Sequence, residues 1–532
     1  MRASIAAVLW PLACGLLPSA GQSTAPAPYD LLIQNARVVD GAGGPWYTAD
    51  VGIRGDSIAA IGNLRGAPAR TTIDAHGLVA APGFIDIHTH ARGGIFTIPT
   101  ADNYVRQGVT TLMEGNDGGS PLPLGPFLDK VATARPAVNF GMFVGQGSIR
   151  TAVVGLEDRQ ATPAEIARMC DLAREAMRQG AFGLSTGLFY VPGNYTPTEE
   201  VIAIARVVGE MGGIHISHMR NEASGVLDSV RETIRIGEEG RLPTQITHHK
   251  IVGKTYWGRS VETLKLVEEA RARGVDVTID QYPYTASSTG TAALFPQWSL
   301  AGGRKQLLAR LHDPATRARI KAAIVTNILD NRGGGDPKNV TMAACVFDRS
   351  LDGKTLAQIT DERGQSPTPA NAAETAMDIQ EKGGCAAVYH AISEDDVVRI
   401  LRYPFTMIGS DGEIPEFGQG APHPRSYGTF ARVLGCYVRE RHVLTLEDAV
   451  RRMTSIPAAR LGLWDRGLLR PGMRADITLF DPATIADTAT FAAPHQYAVG
   501  VRHVLVNGRP ILLDGRITGE RPGRVLYGPA RN

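Results

Sequence analysis

The strongest constraint on the fold is a rhythm in the middle of the chain, where short apolar runs recur and a helical pattern follows each one. The β-like runs cover 84–88, 109–114, 138–144, 181–185, 213–217, 243–247, 275–280 and 406–410. Near-continuous apolar strands that alternate with helices signal a parallel sheet covered on both faces. Eight such units signal an α/β fold of the (β/α)8 TIM-barrel type.

Helix punctuation supports that rhythm. Thr162-Pro-Ala-Glu165 combines a capping residue, proline at the first helical position and glutamate at the third; Ile166, Met169, Ala173 and Met177 follow at helical spacing, and Gly180 ends the run. Thr196-Pro-Thr-Glu199 repeats the start signal. Ser260 is expected to open a third helix over Leu264–Ala272, stopped by Gly274.

Both ends of the chain are strand-rich, as in Leu31–Val39, Val51–Ile61, Ala475–Phe480 and Val504–Leu512, with Asn507-Gly508 as a hairpin signal. Neither end is long enough to stack a sheet alone, so the expected organisation joins them. Residues 26–83 and 468–532 form a small β-sandwich domain, 84–467 form the barrel, and about 290–395, too long for a connection, form an inserted lid or subdomain.

The first residues read differently. Arg2 precedes an apolar run from Ile5 to Leu17, and the small residues Ser19-Ala-Gly21 and Ser23-Thr-Ala25 follow. This is the pattern of a cleaved signal peptide over 1–25, too short and proline-broken to span a bilayer, and it predicts a periplasmic or secreted protein with no stable membrane anchor. Pro11-Leu-Ala-Cys14 resembles a lipidation site only loosely, because proline stands where an aliphatic residue belongs. Export leaves Cys170, Cys345, Cys385 and Cys436, without C-x-x-C spacing; a disulfide is permitted but not needed by a chain of this length, and none looks like a nucleophile. A formal charge of +2 over 532 residues makes no electrostatic case for nucleic acid.

In a parallel barrel the C-terminal ends of the strands carry the chemistry. Phe84-Ile-Asp-Ile-His-Thr-His90 places His88 and His90 two residues apart, on one face of an extended strand, so both can ligate one divalent metal. The fifth run ends in His218, the sixth in His248 with His249 beside it, and the eighth in Asp411. Singly, each has an ordinary reading as a cap, a turn residue or an outward-facing histidine; jointly they mark a metal-dependent hydrolase rim. The second run adds Glu114 and Asp117 in Glu114-Gly-Asn-Asp117-Gly-Gly, either of which would bridge two ions or complete the sphere of one.

Taken with Gly108-Val-Thr-Thr111, Gly183-Leu-Ser-Thr-Gly-Leu188, Ser217-His-Met-Arg220, His248-His-Lys250, Asp280-Gln-Tyr-Pro-Tyr284, Ile408-Gly-Ser-Asp-Gly412 and His423-Pro-Arg425, these motifs resemble the D-aminoacylase (N-acyl-D-amino-acid deacylase) family of the amidohydrolase superfamily across almost the whole mature chain. The resemblance implies a tight zinc site using His218 and His248, a second, weaker divalent-metal position at His88 and His90, and Asp411 as general acid/base and metal ligand beside that second position. It also implies that Lys250, Tyr282 and Arg425 hold the substrate carboxylate. Two departures stand out. Asp117 occupies the place of the family's usual bridging cysteine, giving a harder ligand set that also suits manganese or cobalt. Gly145-Gln146 stands where the family often has Gly-His. The absence of a lysine in Leu184-Ser-Thr-Gly187 disfavours relatives that bridge two metals through a carboxylated lysine.

The expected reaction is hydrolysis of an N-acyl-D-amino acid, a small-molecule substrate. Asp411 takes a proton from the attacking water and returns it to the leaving nitrogen, while Arg425, Lys250 and Tyr282 anchor the free carboxylate. The D preference follows from the resemblance alone. The alternative within enzymes is a dipeptidase or other amidase acting on a C-terminal D-residue, which needs an acid to meet the substrate ammonium. A non-catalytic barrel is a third reading, and it predicts erosion of residues that this chain retains.

Overall fold

The computed structural model describes residues 28–531; the expected signal peptide and Cys14 lie outside them. The barrel strands are β1 (Phe84–Asp86), β2 (Val109–Glu114), β3 (Asn139–Met142, continued by Val144–Gly145), β4 (Gly183–Gly187), β5 (Ile214–His218), β6 (Thr244–Ile246), β7 (Val277–Gln281) and β8 (Thr406–Ile408). Parallel pairing runs from β1 through β2 to β3, and from the continuation of β3 through β4, β5, β6 and β7 to β8.

The seam between β8 and β1 closes just beyond their ends. The Asp411 amide donates to His88 O at 2.8 Å and the His90 amide to Gly412 O at 2.7 Å, with Thr89 and Gly412 forming a parallel bridge. The ring of eight is therefore complete. Every residue of these strands is buried, because helices cover the outside and side chains fill the lumen. β4 and β5 approach so closely that a Cβ on Gly183 would sit 2.0 Å from Ile214 O, which only glycine avoids.

The helix Pro163–Arg178 carries the expected reciprocal cap between Thr162 and Glu165 and buries Met169, Ala173, Ala176 and Met177. Two other start signals find their helices without side-chain caps. The next helix begins at Thr198 without a side-chain cap, because the Thr196 hydroxyl is engaged with Pro192 O and with the Gln146 amide. The helix Ser260–Ala272 opens at Ser260 as expected, and the Ser260 hydroxyl donates to buried Asp396 on a neighbouring helix instead of capping its own.

The two chain ends meet in one hydrogen-bonded sheet of nine strands. Its junction is the antiparallel pairing of Val79–Pro82 with Ile477–Phe480. Asn507 and Gly508, with φ of +47° and +77°, make the two-residue turn between Val501–Val506 and Arg509–Leu513. Between β7 and β8, strands Ser287–Gly290, Val340–Ala344 and Ala386–Tyr389 form an antiparallel sheet, packed with helices around its own apolar cluster that includes Leu294, Phe295, Ile320, Ile324 and Met377.

Sequence spacing did not pair the cysteines, but the fold does. Cys345 and Cys385 follow and precede the facing Ala344 and Ala386 and form a disulfide spanning 40 residues; Cys170 and Cys436 are free. A Cys345→Ala/Cys385→Ala double variant is expected to lose about 2–4 kcal/mol from the loop this bond closes. Urea unfolding of the two proteins checks this, and an unchanged midpoint would mean that the apolar cluster alone holds the insertion.

Candidate metal centre

The end of β2 runs into Gly115-Asn-Asp117-Gly, and Gly115 is required there twice over. Its φ is +85°, and a Cβ would lie 2.2 Å from Phe143 O. The tight turn swings Asp117 across the mouth of the barrel, itself at φ +54°. His248 and Asp411 are also left-handed, at +34° and +52°. Such backbone is uncommon for residues with a Cβ and is tolerated where surrounding structure over-determines it.

Two overlapping ligand groups result. His88, His90, Asp117 and Asp411 form one, and Asp117, His218 and His248 the other, with donor atoms within 4.8 Å of one another in each. Asp117 Oδ1 lies 3.5 Å from His88 Nε2 and 3.4 Å from His248 Nε2. Its Oδ2 lies 3.4 Å from His90 Nε2 and 3.6 Å from His218 Nδ1. Asp411 Oδ1 stands 2.9 Å from His90 Nε2. Asp117 is therefore the shared carboxylate. Glu114, the other acid weighed for that place, turns away to accept the Arg92 amide at 2.9 Å.

Of the adjacent histidines, His248 faces the lumen while His249 points outward to Thr263 Oγ1 at 2.8 Å. Gln146 is fully buried and bonded to Thr196, so it belongs to the packing behind the rim. His423 accepts the Arg425 amide on Nδ1 and donates from Nε2 to Ala286 O, and thereby fixes the loop carrying Arg425. His390 packs against Phe491.

The three expected carboxylate-binding residues converge but are not all free. Arg425 Nη1 is 2.7 Å from Asp411 Oδ2, and its guanidinium lies over the Tyr282 ring. The Tyr282 hydroxyl is buried without a hydrogen-bond partner. Lys250 Nζ is held by Glu222 Oε1 at 2.5 Å. Sequence reading missed Glu222, Arg332, Tyr190 and Asp280. Asp280 Oδ1 accepts the His248 amide at 2.7 Å, and Tyr190 packs its ring 4.6 Å from that of His218. Glu222 lies four residues after His218, the one signal available for it; Arg332 comes from the insertion and carried none.

Charge follows from this geometry. Burial pushes the Asp411 carboxyl up, but Arg425 and then His88 pull harder and hold it far below the usual carboxylate range. Asp117 is likewise held well below that range, with His248, His88 and His218 outweighing burial. Burial drives His218 down to about 4, so it is a neutral imidazole suited to ligation.

These donors fit a metal ion. Both ring nitrogens of His88, both of His218 and Asp117 Oδ1 are buried without a hydrogen bond, and buried polar atoms left so cost about 1–3 kcal/mol each. A cation accepting one lone pair from each imidazole and one from Asp117 removes the part of that cost borne by those atoms, and imidazole with carboxylate is a zinc-type set. Cavities of 440 Å³ beside Asp117 and Tyr190 and of 90 Å³ beside Asp411 and Arg425 flank the centre. His218→Asn and His248→Asn are each expected to cut the zinc retained after dialysis at least ~10-fold, whereas His88→Asn spares that tight ion. Metal analysis checks this; equal loss from both pairs would indicate a single shared ion.

The chain is similar to known proteins along almost its whole length. A model of the Amidohydrolase family matches residues 71–512. The D-aminoacylase of Alcaligenes xylosoxydans xylosoxydans is 40% identical over 522 residues, covering 94% of this chain and 98% of its own length. A D-aminoacylase structure described by its binuclear metal centre, with one-metal activation and second-metal attenuation, superposes with a TM-score of 0.80 at 37% identity, covering 94% of this chain and 100% of its own. The N-acyl-D-glutamate deacylase of Bordetella bronchiseptica, complexed with zinc and a phosphonate mimic of the tetrahedral intermediate, has the same TM-score at 35% identity, with coverage of 94% and 100%.

Proposed function

Because the chain belongs to the amidohydrolase family, with D-aminoacylases among its relatives, we propose that it is a zinc-dependent enzyme that hydrolyses the amide bond of N-acyl-D-amino acids, releasing a carboxylate and a free D-amino acid. The observation that carries this reading is Asp411, poised between the metal-ligating group and a cation. One oxygen lies 2.9 Å from His90 Nε2 and the other 2.7 Å from Arg425 Nη1.

The metal centre, when loaded, supplies Lewis acidity and lowers the pKa of water. Asp411 does the proton work. Arg425 keeps it ionised at neutral pH, so it accepts a proton from the attacking water and later delivers it to the departing nitrogen. His218 and His248 would hold the tight ion and His88 and His90 the weaker one, with Asp117, in place of a cysteine, common to both groups. Arg425 and Tyr282, whose hydroxyl has no protein partner, orient the substrate carboxylate, with Lys250 adding charge. A fixed carboxylate site confines cleavage to a terminal acylated residue.

The same reading places the enzyme outside the cytoplasm. Arg2, the apolar run to Leu17 and the small residues after it support export. Among the described residues no helix is long and apolar enough to cross a membrane.

Purified mature protein is expected to release amino acid from N-acetyl-D substrates and not from their L counterparts, in a chelator-sensitive way. Release only from dipeptides with a C-terminal D-residue would move the activity to the dipeptidase alternative; no metal and no release would overturn the catalytic reading. Asp411→Asn is expected to lower kcat by about 10²–10⁴-fold while the tight ion held by His218 and His248 is retained, and loss of that ion in parallel would make ligation the main role of Asp411.

A further inference from the structure

An imidazole that gives one ring nitrogen to a cation carries its proton on the other, and that N–H needs an acceptor. His248 turns Nε2 toward Asp117, and its Nδ1 lies 3.4 Å from Glu222 Oε1. His218 turns Nδ1 toward Asp117, and its Nε2 lies 3.9 Å from Glu222 Oε2. One buried carboxylate thus stands behind both histidines, an oxygen for each. Glu222 also accepts Arg332 Nη2 at 3.0 Å. Arg332 belongs to the insertion and lies over the Phe189 ring, which itself packs on His218.

Resting on the metal-centre reading above, we propose that Glu222 is a positioning residue of the zinc site: it orients the outer ring nitrogens of His218 and His248 and ties that pair to the inserted subdomain through Arg332. Lys250 completes the arrangement. Its Nζ lies 2.8 Å from His248 Nδ1, 3.0 Å from His248 O and 2.5 Å from Glu222 Oε1. An ammonium and a ring N–H cannot both point across the 2.8 Å gap. With His248 in its ligating form, Lys250 directs its protons to Glu222 Oε1 and His248 O, and the ring N–H turns to the carboxylate. Glu222 accepts from Lys250 Nζ on Oε1 at 2.5 Å and from Arg332 Nη2 on Oε2 at 3.0 Å, the contacts of an ionised carboxylate that serves as an acceptor.

The test compares full-length mature wild type with Glu222→Gln, Glu222→Asp and Arg332→Met, using zinc affinity by chelator competition, the visible spectrum of the cobalt(II) forms, and far-UV circular dichroism for folding. Glu222→Gln is expected to fold, to bind zinc about 10–100-fold more weakly and to shift the cobalt bands. Glu222→Asp keeps a charge for Lys250 and Arg332 but withdraws the oxygens from the rings, and it is expected to lose affinity in the same direction; it decides the matter if the glutamine variant does not fold. Arg332→Met leaves both imidazole contacts and is expected to hold zinc within about threefold of wild type, with a raised KM from a loosened insertion. Unchanged zinc affinity and cobalt spectrum in a folded Glu222 variant would overturn the proposal. So would an equal loss in Arg332→Met, which would trace the effect to attachment of the insertion. Failure of the wild type itself to bind zinc would instead overturn the metal-centre reading.

Discussion

The site depends first on closure of the barrel at β8 and β1. Two backbone hydrogen bonds, from the amides of Asp411 and His90, join segments more than 300 residues apart in sequence. Without that seam, the acid expected to move protons would have no fixed relation to the histidines it must serve. With it, the carboxylate of Asp411 reaches both His90 and Arg425, and the strands between are forced into a ring whose ends share one rim.

Electrostatics at that rim is unforgiving because most of its charged groups are buried. Glu222, Lys250 and Asp411 are buried, and so are His88, His218 and His248. A buried charge persists only when matched. Lys250 and Arg332 share Glu222, Arg425 matches Asp411, and Asp117, with four imidazoles 3.4–3.6 Å away, is left for a cation to match. The ligand set has donor atoms still lacking partners, and the left-handed backbone at Asp117, His248 and Asp411 is held by tight packing around it. Orphan ligand atoms on His88, His218 and Asp117 and left-handed backbone at Asp117, His248 and Asp411 converge on one rim, as in a preorganised cation site.

The insertion is more than a cover. Its own apolar cluster and disulfide make it a semi-independent body, yet Arg332 reaches the carboxylate behind the metal histidines and Ser288 O lies 3.4 Å from Arg425 Nη2. Small residues, Ala343, Ala344 and Ala386, line the 90 Å³ cavity beside Arg425. The walls nearest the chemistry thus come partly from a segment that has no strand-end motif.

Much of this was legible in residue order, for a local reason. Strand and helix periodicity depend on neighbours along the chain, so the eight runs, the capping box at Thr162 and the hairpin at Asn507-Gly508 could be read directly; so could His88, His90, His218, His248 and Asp411, because strand ends in a parallel barrel share one rim. Start signals at Thr196 and Ser260 announced real helices, but neither hydroxyl caps its helix, since each has partners elsewhere. What only the tertiary structure decided is pairing: Asp117 over Glu114 as the shared carboxylate, Cys345 with Cys385, Arg425 on Asp411, and Glu222 between Lys250, Arg332 and two imidazoles. Those choices turn on a few ångströms between residues distant in the chain. A sequence names the chemical groups it carries; burial, which makes each unpaired charge costly, selects which of them must meet.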